Sequence, residues 1–247
     1  MPNPRAITII AAALVALAAT SGVGAQEALS AKLDPSGMIN ISQGAAELVM
    51  IELNAHGPNW QHAPQETATA EITDLPDGDG KQAVGTLPIP GTDGAALQFT
   101  ETVKVLPQGL NLSYDINMTK AARINGLQLS IILPVAQYGG EELMVTRPGD
   151  DPDLAGLPLE EPERNFQVWN GQGSKVKVAG GTDKEFSVEL RAAADLIVQD
   201  LRQWERPIFE IRFPAIMQQE GRDVAAEDRF HLDLTITFAA PLELAGP

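Results

Sequence analysis

Two short stretches gather most of the residues in this chain that could do chemistry. The first, "HGPNWQHAP", runs from His56 to Pro64 and holds His56 and His62 with Trp60, Asn59 and Gln61 between them. The second, "VQDLRQWERP", runs from Val198 to Pro207 and carries Asp200, Arg202, Trp204, Glu205 and Arg206. A tryptophan among amides and imidazoles is the composition of a sugar subsite. The indole face stacks on the apolar face of a pyranose, and the polar neighbours bond its hydroxyls. His56, Trp60, His62, Arg202 and Trp204 are therefore the candidate ligand-binding residues. Each has a plainer explanation. A large aromatic usually buries most of its area, so Trp60 is expected to close one end of the core, with stacking on a sugar as the alternative. Asp200 and Arg202, two apart, share a face if the segment is a strand, and a surface ion pair accounts for them.

Catalysis and metal binding find weaker support. Asp200 with Glu205 could serve as acid and base in glycoside cleavage, which needs carboxyls roughly 5–5.5 or 6.5–9.5 Å apart. No zinc site is expected. His56 and His62 are six positions apart in a loop broken by Pro58 and Pro64, and the third histidine, His231, opens a distant strand. The acidic loops "DLPDGDGK" (Asp74, Asp77, Asp79) and "GDDPD" (Asp150, Asp151, Asp153) could hold calcium, but they lack a regular ligand register, and turn chemistry explains them. No cofactor is expected. Cysteine is absent, no serine sits in a Gly-x-Ser-x-Gly elbow, and no glycine-rich phosphate loop occurs.

The elements that would position these residues are strands. "GLNLSYDINM" places Leu110, Leu112, Tyr114, Ile116 and Met118 on one face. "GLQLSIILP" and "FHLDLTITF" repeat the alternation, and shorter runs such as "ELVMIEL", "EFSVEL" and "IFEIRF" share it. About a dozen such segments, separated by Gly, Pro, Asn and Asp, predict an all-β fold. We expect a two-sheet antiparallel β-sandwich of the super-sandwich or jelly-roll kind. Helical period is confined to brief turns, at "PVAQYGG" and "AIMQQEG". The long acidic segment from Arg147 to Arg164 reads equally as a domain linker or as a long connection across one sandwich.

Composition sets the compartment. Arg5, the apolar run "AITIIAAALVALAA" and the small residues before Gln26 read as a cleaved secretory leader over 1–25, with one β domain over 26–247. No second apolar run predicts a membrane span. The protein is thus expected to be periplasmic or secreted. Loss of Arg5 with the leader leaves 16 Lys and Arg against 33 Asp and Glu, a formal charge of −17. That surface repels nucleic acid and anionic lipid, and disfavours an anionic polysaccharide unless one basic groove is set aside for it. With no cysteine there are no disulfide staples, but about 220 residues suffice for a self-supporting core.

The order of features carries a resemblance. "GMINIS" and "ELVMIELNAHGPNW" are followed by "LQFTETVKVLPQGLNLSYDI", "LSIILPVAQYGG", "VQDLRQW" and a closing "FHLDLTITF". The chain resembles secreted β-sandwich domains associated with bacterial carbohydrate-active enzymes, in the style of the galactose-mutarotase-like super-sandwich. The resemblance implies that the protein binds or processes carbohydrate, and it carries over no catalytic residue. An exported glycan-binding or accessory protein is the leading expectation. A glycoside hydrolase or polysaccharide lyase using Asp200 and Glu205, or His56 and His62, is the alternative. A non-catalytic envelope protein offering a sheet edge to an unknown protein partner is the third.

Overall fold

Alternating strands bury one face, and the long strands do so residue by residue. The computed structural model describes residues 28–245. The expected leader, 1–25, and the cleavage point before Gln26 lie outside the described residues. The first half of the chain supplies β1 (Leu29–Leu33), β2 (Ile39–Gln43), β3 (Ala46–His56), β4 (His62–Pro64), β5 (Thr69–Asp74), β6 (Gly80–Pro88), β7 (Ala96–Leu106) and β8 (Gly109–Met118). The second supplies β9 (Ala122–Pro134), β10 (Glu142–Arg147), β11 (Asp151–Gly156), β12 (Gln167–Val178), β13 (Phe186–Asp200), β14 (Ile208–Val224), β15 (Arg229–Phe238) and β16 (Leu242–Leu244). The turn expected at "PVAQYGG" is α1 (Val135–Tyr138). The turn expected at "AIMQQEG" is instead part of β14, bent where its register with β9 shifts. No helix among the described residues is long and apolar enough to cross a membrane.

The expected pair of antiparallel sheets is replaced by one curled, mixed sheet. Its main path runs β16-β1-β2-β3-β9-β14-β13-β15-β8-β7-β6-β5, with β12, β10 and β11 branching from β13 and β4 from β3. Only β1 with β16 is parallel among the described pairs. β13 makes the bend. Phe186–Leu190 pairs with β15 and Ile197–Asp200 pairs with β14, while β12 lines the other edge. The curl brings β16, at one end of the path, against β7, near the other. Alternation requires only that one face be covered, and a curled sheet covers it as well as a second sheet does. One apolar cluster fills the interior, from Leu29 and Leu242 to Leu97, Leu129 and Ile236.

A buried polar cluster joins the two sides of that interior. Gln65 accepts a hydrogen bond from the Leu53 N–H of β3 at 2.6 Å and donates to Glu101 Oε2 of β7 at 3.1 Å and to the Ser36 carbonyl at 3.2 Å. The Tyr114 hydroxyl of β8 donates to Glu101 Oε1 at 2.7 Å. Burial pushes the Glu101 carboxyl up to about 8, against the pull of these bonds.

Candidate functional site

β9 is buried on both faces from Asn125 to Leu133. Leu127, Leu129, Ile131 and Leu133 enter the core, whereas Gln128 and Ser130 face the other way. The register aligns that second face with Glu52, Asn54 and His56 of β3 and with Glu210 and Arg212 of β14. Gln199 and Ile197 of β13 extend it. A polar floor is therefore built across four neighbouring strands.

One part of this floor is tightly bonded. Glu210 Oε1 accepts from Ser130 Oγ at 2.6 Å and from Gln128 Nε2 at 3.1 Å. Its Oε2 accepts from Arg212 Nε at 2.8 Å and Nη2 at 2.6 Å. Burial pushes this carboxyl up, but Arg212 and the Ser130 hydroxyl outweigh it and hold the group below its ordinary range. With both oxygens already accepting two bonds each, Glu210 fixes Arg212 rather than standing free as a base.

The "HGPNWQH" loop arches over the floor. Gly57 allows the loop to meet Pro90, because a Cβ there would lie 2.0 Å from the Pro90 carbonyl oxygen. Asn59 and Trp60 both take left-handed backbone, with φ of 58° and 60°. That conformation is ordinary for asparagine and costly for tryptophan. Trp60 is half-buried, meets the His56 ring edge-on at 5.4 Å and donates from Nε1 to Gln219 Oε1 at 3.2 Å. It lies outside the apolar cluster, so closing the core, the role expected of it, falls to other side chains. His56 stacks on His62 at 5.2 Å and fits over Gly126, where a side chain would crowd its ring. His62, at the exposed rim, bonds Asn54 Oδ1 through Nε2 at 2.7 Å, and Asn54 in turn donates to Glu52 Oε1 at 2.9 Å. Because Asn54 Oδ1 can only accept, this network assigns the His62 proton to Nε2. Burial, His62 and Arg212 lower the His56 pKa to about 4, and burial and Arg206 lower that of His62, so both rings are neutral at pH 7. Burial raises Glu52 to about 7 despite the Asn54 bond.

These groups line a cleft of about 600 Å³, and the second stretch supplies its other wall. His56, Trp60, His62, Trp204, Arg206 and Arg212 all face it, with Gln167, Gln199, Met217 and Gln219. Both stretches singled out in the sequence thus meet in one place, and Trp60 and Trp204 share one cleft. Three buried polar atoms of its lining have no hydrogen-bond partner: both ring nitrogens of His56 and Oε1 of Gln199. The Trp60 backbone is only the weakest of the influences on His56 and closes no well-formed bond to it.

The remaining predicted residues stand apart from the cleft. Asp200 is 0% exposed and locked to Arg202 by Nε and Nη2. Arg202 also ties down the carbonyls of Pro158, Leu159 and Glu160, so this pair staples the acidic connection to the end of β13. Glu205 is exposed in a left-handed turn position. His231 pairs with Asp115 at 2.9 Å beside a separate cavity of about 660 Å³, none of whose lining atoms is buried and unsatisfied. Asp74 pairs with Lys81, Asp77 and Asp79 with Lys104, and Asp151 with Arg147. No group of three or more metal-ligating side chains occurs among the described residues.

Asn54, Gln199, Glu210 and Arg212 were not singled out by the sequence, and Arg206 stood in the second stretch without a role. "FEIR" did carry a usable signal, since Glu210 and Arg212, two apart in a strand, must share one face.

No protein-family profile matches the chain, and no curated protein matches it. Solved structures do. A galactose mutarotase related enzyme from Lactobacillus acidophilus superposes with a TM-score of 0.51 at 8% identity, over 86% of this chain and 95% of that one. A galactose mutarotase-like protein from Lactobacillus casei superposes with a TM-score of 0.54 at 10% identity, over 82% of this chain and 94% of that one. At these identities the likeness is one of fold, and at that level the resemblance read from the strand order holds.

Proposed function

We propose that the protein is an exported carbohydrate-binding protein whose ligand lies in the cleft between Trp60 and Trp204. One observation carries this: Trp60 and Trp204 face a single cleft that Gln167, Gln219 and Arg206 also line, an aromatic pair beside reachable polar groups. Tryptophan on the rim offers the apolar faces of a sugar ring a stacking surface. The neighbours' fold is consistent with this reading, and the leader-like 1–25 supports export.

A glycan-array screen followed by calorimetry tests the binding. Saturable binding without turnover is the expected result, and absence of any glycan ligand would overturn it. Intact mass of the exported protein should begin at or near Gln26; retention of Met1 through Ala25 would contradict export.

A second reading draws on the two neutral imidazoles. His62, with its proton placed on Nε2, keeps Nδ1 as a free base, which suits proton transfer on a bound sugar. Under that reading the protein accelerates the change in optical rotation of freshly dissolved galactose, and His62→Ala abolishes the effect. No acceleration leaves the binding role alone.

A further inference from the structure

The charges facing the cleft do not cancel. Arg212 is neutralised by the bidentate contact with Glu210. His56 and His62 carry no charge at pH 7, and Glu52 lies behind Asn54, bonded to its amide. Arg206 is different. It lines the cleft and is partly buried, close enough to act electrostatically on His62, Glu210 and Glu52. Yet its guanidinium forms no hydrogen bond or ion pair with any described residue. An unmatched guanidinium in a recess is a ready partner for a planar or tetrahedral oxyanion, which it can meet with two parallel N–H donors. The chain around it has a formal charge of −16, and Glu52 and Glu66 lie near enough to act on the same groups, so the guanidinium is a basic point in an acidic setting.

Resting on the cleft reading above, we propose that the ligand is a sugar bearing a single oxyanionic substituent, a carboxylate or a phosphate, held by Arg206. A polyanionic chain is disfavoured, because charges projecting beyond the recess would meet the acidic surface within about one screening length, roughly 10 Å at 0.1 M salt. Neutral parts of the ring would stack on Trp60 and bond the exposed amides of Gln167 and Gln219.

Calorimetric titration of the purified protein with methyl glucuronoside and with glucose 6-phosphate, each against methyl glucoside, tests this. At least one acidic sugar should bind about ten-fold more tightly than the neutral one, the worth of a charge-assisted contact. The arm that responds identifies the oxyanion as carboxylate or phosphate. Arg206→Gln should lose about ten-fold on the acidic sugar and less than about three-fold on the neutral one, and Arg206→Lys should recover part of the loss. The melting temperature of both variants should stay within a few degrees of wild type, because the Arg206 side chain makes no hydrogen bond in the fold and acts on Glu210 and Glu52 only through space. Equal affinity for neutral and acidic sugars, or a preference that survives Arg206→Gln, would overturn this proposal while leaving the cleft as a sugar site. Binding of none of the three would overturn it as well, and the glycan array then decides the cleft reading independently.

Discussion

The Glu101 cluster and the Trp60–Trp204 cleft are both polar and both built on β3, yet one is sealed in the interior and the other opens to water, and they are finished differently. Around Glu101, both carboxyl oxygens and both ends of the Gln65 amide are bonded, and the group ties β3 to β7 and β8 through the interior. On the cleft side, His56 and Gln199 keep buried atoms open. A closed network stabilises one fold; open atoms weaken it, and the cleft keeps its reachable indole and amide groups for something outside the chain.

The largest effect should come from opening the closed cluster. Gln65→Leu strands the Leu53 N–H and one Glu101 oxygen together, and should cost about 3 kcal/mol or more in urea denaturation. A loss under about 1 kcal/mol would show that the cluster does not hold the curl.

The same cluster should be read out by pH. Glu101, at about 8 in the fold against 4.5 in the open chain, keeps a proton that the unfolded state has lost, so its contribution falls as pH rises toward 8. Glu52, raised to about 7, acts in the same sense. His56 and His62, both lowered, act in the opposite sense, mostly below about pH 7, where the unfolded chain takes up their protons. Between pH 6.5 and 8 the carboxyls outweigh them, and stability should fall by about 1–2 kcal/mol. Denaturation curves across that window should lose most of this slope in Glu101→Gln. An unchanged slope would place the titrating group elsewhere.

The all-β class and most strand faces were legible because alternation is local. Leu110, Leu112, Tyr114, Ile116 and Met118 are all buried as their spacing requires. The curl was not legible, since β16 meets β7 only after the whole path has closed. Nor was the floor, because β9 hides its polar residues under a second covering and its register to β3 and β14 joins residues far apart in sequence. The two stretches rich in chemistry could be found by type and spacing. That they face one another is a property of strand order alone.

On the cleft side the effects should move from stability to binding. Trp60→Ala should weaken glycan affinity by about 1–3 kcal/mol, the worth of a large apolar contact, and change stability by less than about 1 kcal/mol, because the residue lies outside the core. A large stability loss without an affinity change would return Trp60 to a capping role. The smallest effect belongs to His56→Phe. Its ring nitrogens bond nothing, so thermal melts should show it neutral or stabilised by less than about 1 kcal/mol. Marked destabilisation would mean that the imidazole serves the fold.

The most direct test of the open cleft is a glycan array probed with wild-type protein and with the double variant Trp60→Ala, His56→Phe, both first shown to melt as folded proteins. Saturable binding of one or a few glycans by wild type, absent from the folded double variant, is the result expected. Binding that persists in the double variant, or none by wild type, would contradict the assignment of the cleft to a sugar.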